Sequence, residues 1–283
     1  MKKKTLILGV DFKDNTVKLC AEAVKYAAKL KSTITLVHAV EYIPYYPYFP
    51  HEEEHVKDFL ECDIQYKLDQ IESYIKLYNV EVSGRIVERG KTYEVLCQKA
   101  DELDASAIIV GVGQHYLFEE LIGSTTEKVC RMAKQKVIIL NDKNEKPVCK
   151  ILCAFDFSEN SFASLASAAR FAHHFKADLK IMHVYDSHEN PSEITEHIKK
   201  LSAKVIKNEL EVQAEGSSIN YEVILKQGVS VIEILKSVKE YDIDLLSIGA
   251  SGHNQFTRLF LGSTVAKIIR KAPCAIVVSP KTA

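Results

Sequence analysis

The feature that most limits the possible folds of this chain is an internal repeat of strand and helix patterns. In the first half, short apolar segments typical of buried strands alternate with segments that carry apolar residues at helical spacing. The second half shows the same order, β-α-β-α-β-α-β-α-β, and places Asp156 and His183 where the first half has Asp11 and His38. Such a repeat is evidence for gene duplication and predicts two similar domains.

The alternation of strands with helices predicts an α/β fold, in which parallel sheets are covered by helices on both faces. The segment 141–147 is polar and contains Pro147, which is typical of a linker. We therefore expect domains over residues 1–143 and 148–283. The predicted strands are 5–10, 33–40, 80–87, 107–110, 137–140, 150–156, 179–184, 221–225, 244–248 and 274–278.

Composition narrows the classes of function. The 37 basic and 38 acidic residues nearly balance, so the chain as a whole has neither a basic surface for nucleic acid nor an acidic tail. No apolar run reaches the roughly 18 residues that a membrane span needs, and the first apolar segment is too short for a signal peptide. The seven cysteines are widely spaced without a C-x-x-C pair, which is typical of buried thiols in a reducing compartment. We expect a cytoplasmic protein.

A glycine-rich stretch in the second half suggests a binding site. Gly249-Ala-Ser-Gly252, nine further residues and Gly262-Ser-Thr264 lie between an apolar strand and an amphipathic helix. Glycines permit close backbone approach and positive φ, and Ser263 and Thr264 stand where a helix N-cap is expected. A helix N-terminus favours an anion such as a phosphate chain. The alternative is a surface loop followed by an ordinary capped helix.

Each half resembles a universal stress protein domain. The resemblance is carried in the second half by Ile151–Ser158, by His183-Val184, by Gly228 and by the G-x2-G-x9-G-S spacing, which is that family's ATP-binding signature. It covers nearly the whole chain and implies a tandem universal stress protein. Each domain would then be a doubly wound, Rossmann-like domain, similar to adenine nucleotide alpha hydrolases, with a five-stranded sheet in the order 3-2-1-4-5.

In a sheet of that order, strands one and four meet at the switch point where ligands bind. The resemblance implies that ATP, with Mg²⁺, occupies this place in the second domain. One alternative for Asp156 is a carboxylate that only helps to start a helix, and one for Val184 is a core residue. The nucleotide-binding residues implied by the resemblance are Ala154, Phe155, Asp156 and Val184 for the nucleoside, and Gly249, Gly252, Gly262, Ser263 and Thr264 for the phosphates.

The first half departs from the signature. When it is aligned on Gly123, Val110 stands at the leading glycine, and Glu119 falls where the second half has Arg258. A β-branched residue resists positive φ, and carboxylates near a triphosphate repel it. We expect an asymmetric protein with a weakened or lost first site, made of Asp11, Gly111, Gly113, Gly123, Ser124 and Thr125.

Two further motifs have alternative explanations. His51-Glu-Glu-Glu-His55 fits H-E-x-x-H, but it follows three prolines at the start of a helix, so we assign it no zinc chemistry and expect no metal site. The segment 42–50 holds five aromatic residues, which could form a partner surface or pack over the adjoining domain.

The sequence thus favours a stress-response sensor or regulator that binds ATP. No Walker lysine and no general base are evident, so any ATP hydrolysis should be slow. In the family, domains pair through their last strands, so 137–140 and 275–278 could pair within one chain as a pseudo-dimer, and two chains could associate further. The alternative is a scaffold without nucleotide that binds a protein or an apolar ligand through its paired domains and the segment 42–50.

Overall fold

The structure is a computed structural model that describes residues 3–13, 15–41, 53–112, 124–141, 146–186, 190–212, 219–251 and 261–280. Within these ranges, ten strands and eight helices follow one another in the order that the repeat predicts. The chain divides into two compact units, residues 1–109 and 110–283, and each is described by itself. No helix in the described ranges combines the length and the apolar character that crossing a bilayer requires.

The first unit is a parallel sheet with helices between its strands. β1 is the inner strand, flanked by β2 and β4, and β3 lies outside β2. The side chains of Leu6, Ile7 and Leu8 are completely buried, as a strand covered on both faces requires. The elements are β1 (Thr5–Gly9), α1 (Thr16–Lys29), β2 (Thr33–Val40), α2 (Glu53–Lys76), β3 (Val82–Arg89), α3 (Thr92–Glu102) and β4 (Ala107–Gly111), whose last two residues belong to the second unit.

The second unit holds the complete second repeat. Its strands β6 to β10 are parallel and pair in the predicted order 3-2-1-4-5, with β6 between β7 and β9, β8 outside β7, and β10 outside β9. The elements are α4 (Ser124–Met132), β5 (Lys136–Leu140), β6 (Lys150–Ala154), α5 (Glu159–Phe175), β7 (Asp178–Tyr185), α6 (Pro191–Val212), β8 (Tyr221–Gln227), α7 (Ser230–Glu240), β9 (Leu245–Gly249), α8 (Ser263–Lys271) and β10 (Ala275–Ser279).

The last strand of each repeat pairs with the other, as expected. β5 lies antiparallel to β10, and Ile138 stands opposite Val277. β5 and β10 both lie in the second unit. The domain limits 1–143 and 148–283 stay a sequence-based prediction.

Helix α5 is hydrogen-bonded to the sheet through serine side chains. The Oγ atoms of Ser164 and Ser247 lie 2.9 Å apart, and Ser279 Oγ donates to Ser167 Oγ at 2.9 Å. Small residues let a helix approach the sheet closely, and each buried hydroxyl finds a partner there. The N-terminus of α5 is thereby held above the carboxyl ends of β6 and β9.

Candidate functional site

A cleft of about 310 Å³ opens in the second unit at the carboxyl ends of β6 and β9. These strands are neighbours in the sheet, and the chain turns to opposite sides after them, so the cleft lies at the topological switch point. Every described residue that the sequence assigned to the nucleotide site lines it, whereas Gly252 lies outside the described residues. The lining comprises Ala154, Phe155, Asp156, Ser158, Ser161, Met182, Val184, Ser230, Ile234, Ile248, Gly249, Ser251, Gly262, Ser263, Thr264, Val265 and Ile268.

Asp156 lies in a tight turn between β6 and α5. Phe157 adopts a left-handed conformation with φ +64°, an uncommon one for a side chain of that size. The turn brings Asp156 Oδ1 within 3.0 Å of the Ser158 backbone N–H and 2.5 Å of the Ser158 hydroxyl, both of which donate to it. Ser158 in turn caps α5 by accepting from the backbone N–H of Ser161. Asp156 is therefore both a helix-start carboxylate and an exposed lining residue of the cleft.

Gly249 is the last residue of β9, and close packing rather than backbone conformation requires a glycine there. Its φ is not positive, but a Cβ atom there would come within 2.8 Å of the backbone carbonyl group of Asn160. A contact that close cannot form without a shift of α5 or β9. Glycine thus allows the start of α5 to lie directly against the end of β9.

The first turn of α8 offers unpaired donors to the cleft. Gly262 is the N-cap residue with φ −58°, and its N–H donates to Ala250 O at 2.9 Å. The expectation that Ser263 or Thr264 caps the helix is wrong, because Ser263 is already its first residue. The next backbone N–H groups have no partner within the helix, and no acidic side chain occupies its first turn. The combination favours an anion.

Gly262 has no evident structural need to be a glycine. Its φ is ordinary, and an added Cβ would meet described atoms no closer than 3.5 Å. The expectation that glycines provide positive φ in this stretch is therefore wrong for both described positions. Gly262 is buried and lines the cleft, and the absence of a side chain there lets a large guest approach its backbone.

The sequence did not single out the apolar wall of the cleft. Part of the cleft is apolar, and its apolar lining residues include Met182 on β7, Ile234 on α7, Ile248 on β9, and Val265 and Ile268 on α8. The periodicity of these residues marks them only as core, so no local signal distinguishes them. Ser230 was also missed, although Gly228 just before α7, with φ +140°, marks the turn that brings it to the cleft.

The lining contains one carboxylate, Asp156, and no lysine, arginine or histidine among the described residues. Within the described ranges, no group of three or more histidine, cysteine, aspartate or glutamate side chains is arranged to hold a metal ion. The described cleft therefore offers hydroxyls and backbone N–H groups to an anion, and a single carboxylate to a hydroxyl or a cation.

The first repeat resembles the second at its aspartate. Asp11 Oδ1 accepts from the Lys13 backbone N–H at 3.2 Å and from the Thr16 hydroxyl at 3.3 Å. Phe12 has φ +55°, so the turn after Asp11 is left-handed as well. The His38 ring lies 2.8 Å from Val10 O, as the His183 ring lies 2.7 Å from Phe155 O.

The strand register corrects the alignment of the first repeat. Leu6 stands opposite Ala107, and its counterpart Ile151 stands opposite Leu245, so Gly111 rather than Val110 is the counterpart of Gly249. The expectation that the leading glycine is replaced by valine is therefore wrong. The connection that follows is one residue shorter than in the second repeat, since α4 and α8 begin at Ser124 and Ser263.

Other expected residues of the first site are described only in part. Gly111 O accepts from the Thr126 hydroxyl at 3.3 Å, and Thr125 is half-buried in the first turn of α4. That turn also carries Glu127, which pairs with Arg270 at 2.7 Å, whereas α8 has no acidic residue in its first turn. Gly113, Gly123 and the side chain of Ser124 lie outside the described residues, as do Glu119, Glu120, Arg258, the segment 42–50, His51 and the side chain of His55.

The fold and the cleft define a tandem doubly wound α/β protein with a candidate ligand site at the switch point of its second repeat. The family model described as the universal stress protein family matches residues 3–141 and again residues 148–280. These matches cover nearly the whole chain. The chain therefore belongs to the universal stress protein family, and it carries two domains of that family in tandem.

Curated relatives match about one domain of this chain. Universal stress protein YxiE of Bacillus subtilis is 28% identical over 144 residues, which cover 46% of this chain and 97% of that protein. A putative universal stress protein of Staphylococcus haemolyticus is 30% identical over 135 residues, which cover 45% of this chain and 82% of that protein.

Solved structures match the whole chain. A universal stress protein from Archaeoglobus fulgidus has a TM-score of 0.78 at 19% identity, with 100% of both chains covered. A putative universal stress protein from Pseudomonas aeruginosa has a TM-score of 0.62 at 15% identity, with 98% of this chain and 92% of that one covered. At these identities the likeness supports the fold alone.

Proposed function

We propose that this universal stress protein binds ATP in the cleft of its second repeat and acts as a nucleotide-dependent sensor or regulator in a stress response. The observation that carries the proposal is the convergence of Asp156, Gly249, Gly262, Ser263 and Thr264 on one cleft at the switch point. These residues come from two separate stretches of sequence, so a surface loop with an ordinary helix cap does not account for their meeting.

The cleft has two chemically different parts that match the two parts of a nucleotide. Its apolar residues, which include Met182 and Ile234, offer a surface to a base, and Asp156 offers an acceptor to ribose hydroxyls. The first turn of α8 offers backbone N–H groups and the Ser263 and Thr264 hydroxyls to phosphates. Mg²⁺ would arrive with the phosphates, since a cation bound in this way needs few protein ligands.

Hydrolysis of ATP should be slow at most. The one carboxylate among the described lining residues, Asp156, accepts hydrogen bonds from Ser158 and lies at the end that we assign to the ribose. No histidine or lysine lines the described cleft to act as a general base or to stabilise the transferred phosphoryl group. Binding rather than turnover is therefore the proposed activity.

We propose that the two repeats differ in affinity. The first repeat has the shorter connection after Gly111 and the acidic residues Glu119 and Glu120 in its sequence. Each of these opposes a triphosphate at that helix start, through geometry or through like charge. A cytoplasmic location and a further association of two chains stay predictions from the sequence.

The test is a calorimetric titration of nucleotide-stripped protein with Mg-ATP that fits the number of sites per chain. We expect one site, which is lost in Gly262→Val and kept in the matched first-repeat variant Gly123→Val. Circular dichroism of both variants controls for folding. Two sites would overturn the asymmetry, and a well-folded wild-type protein that does not bind would overturn the nucleotide function and favour the scaffold alternative.

A further inference from the structure

Asn160 is a buried residue beside the cleft that neither the sequence motif nor the cleft lining includes. It is the second residue of α5, and only 4% of it is exposed. Its neighbours Ser158 and Ser161 line the cleft, whereas Asn160 lies behind that wall. A buried amide in the first turn of a helix requires an explanation, because burial of a polar group costs free energy unless it is hydrogen-bonded.

The contacts of Asn160 reach the opposite wall of the cleft. Its Nδ2 donates to Ser251 O at 2.7 Å and to Ser251 Oγ at 2.7 Å. Ser251 is itself 7% exposed and lines the cleft two residues after β9. The Asn160 backbone also lies against Gly249, within 2.8 Å of the place where a Cβ atom would be. The amide and the glycine thus form one close contact between α5 and the start of the glycine-rich stretch.

The side chain of Asn160 is not fully satisfied by these contacts. Its Oδ1 is buried and has no hydrogen-bond partner among the described residues. A residue selected only for packing at this place would avoid that cost, which is typically larger than the net gain from one hydrogen bond. The two donor bonds to Ser251 therefore have to provide something that a small apolar side chain does not.

We propose that Asn160 is a positioning residue that fixes the start of the glycine-rich stretch relative to α5 and so sets the affinity of the cleft for the phosphates of a nucleotide. This inference rests on the proposed nucleotide binding. The physical route is short, because Ala250, next to Ser251, accepts the Gly262 N–H at 2.9 Å. Asn160 thus acts through residues 250 and 251 on the N-cap of α8.

The Asn160 amide should affect the phosphate end of the cleft and not the nucleoside end. Met182, Val184 and Ile234 line the cleft from β7 and α7, whereas the Asn160 amide bonds to Ser251, which follows β9. Asp156 accepts hydrogen bonds from the backbone N–H and the hydroxyl of Ser158. Loss of the Asn160 amide should therefore lower the affinity for ligands that carry phosphates and leave the affinity for adenosine unchanged.

The experiment compares Mg-ATP and adenosine as calorimetric ligands of the full chain. We expect Asn160→Ala to weaken Mg-ATP binding about tenfold, because two hydrogen bonds that orient the phosphate end are lost, and to change adenosine binding less than about twofold. Ser251→Ala removes the Oγ acceptor and keeps the backbone carbonyl. It should therefore weaken Mg-ATP binding by a smaller factor than Asn160→Ala does. Asn220→Ala, which removes the exposed amide bond to Asp178 at the opposite end of the strands, is the matched control.

The results distinguish a positioning role of Asn160 from a general effect on the stability of the fold. Equal losses for Mg-ATP and adenosine in Asn160→Ala, or no loss for either, would overturn the proposal, and if that variant does not fold, the same comparison in Ser251→Ala decides. If the wild-type protein binds neither ligand, the nucleotide function fails, and amide hydrogen exchange then tests Asn160 by itself. Asn160→Ala should speed exchange at Gly262 about tenfold and leave Ile276 unchanged, and an unchanged Gly262 rate would overturn the proposal.

Discussion

The imidazole of His183 donates a hydrogen bond from Nδ1 to the main-chain carbonyl of Phe155 over 2.7 Å. Nδ1 is the donor because a carbonyl oxygen can only accept. The bond ties β7 to the turn that leaves β6, and the ring of Phe157 packs edge-on against His183 with centroids 4.9 Å apart. His183 thus holds the left-handed turn that presents Asp156 to the cleft, and His38 does the same for Asp11 in the first repeat.

Replacement of His183 should destabilise the fold. His183 is 7% exposed, so His183→Leu leaves the Phe155 carbonyl buried without its donor and should lower the free energy of unfolding by about 1–3 kcal/mol. His183→Asn retains an N–H donor and should lose less. Urea unfolding measures both changes, and equal stability of the leucine variant and the wild-type protein would contradict the role assigned to this bond.

The two described glycines of the glycine-rich stretch should respond differently to alanine. Gly249→Ala forces a Cβ atom against the Asn160 backbone and should cost about 1–3 kcal/mol, as overpacking does. Gly262→Ala finds space and should cost less than about 1 kcal/mol, and we expect its methyl group to weaken the proposed binding of Mg-ATP. Thermal unfolding and calorimetry of the two variants test this contrast. The reverse order of stabilities would show that the close approach at Gly249 can relax.

Ser158 should affect the nucleoside end, which makes it the counterpart of Asn160. Ser158→Ala removes the cap of α5 and the hydroxyl that donates to Asp156, so we expect a loss of about 1 kcal/mol in stability. The affinities for adenosine and for Mg-ATP should fall by the same factor, because we expect both ligands to use the Asp156 carboxylate that Ser158 orients. The control is Ser192→Ala at an exposed serine of α6. A loss confined to Mg-ATP would show that Asp156 serves the phosphates instead.

The thiols should fall into two groups by reactivity. Cys62 and Cys149 are exposed, whereas the other five are buried. Burial raises the pKa of Cys20, Cys153 and Cys274 to about 12, so these thiols stay protonated at neutral pH and are poor nucleophiles. Iodoacetamide at pH 8 should modify two thiols per native chain and seven in urea, as counted by mass spectrometry. Modification of Cys153 in the native protein would show that the core beneath α5 opens.

Much of the fold could be predicted from local sequence patterns. Continuous apolar runs such as Leu6–Leu8 predict buried parallel strands, and the structure confirms these strands. The spacing of Gly249 and Gly262 predicted two positions that do line one cleft. These features are readable because each depends on residues that are close in sequence, or on a repeat that shows the same pattern twice.

The tertiary structure decided what depends on distant partners. Strand pairing showed that Gly111, and not Val110, corresponds to Gly249, because register is set by hydrogen bonds between strands a hundred residues apart. Asn160 became visible only when α5 and β9 were brought together by the sheet. By itself, the sequence determined the elements, their order and the glycine positions, since local propensity and periodicity specify these. The contacts that shape the cleft required the folded chain, because no local pattern records which residue lies across from which.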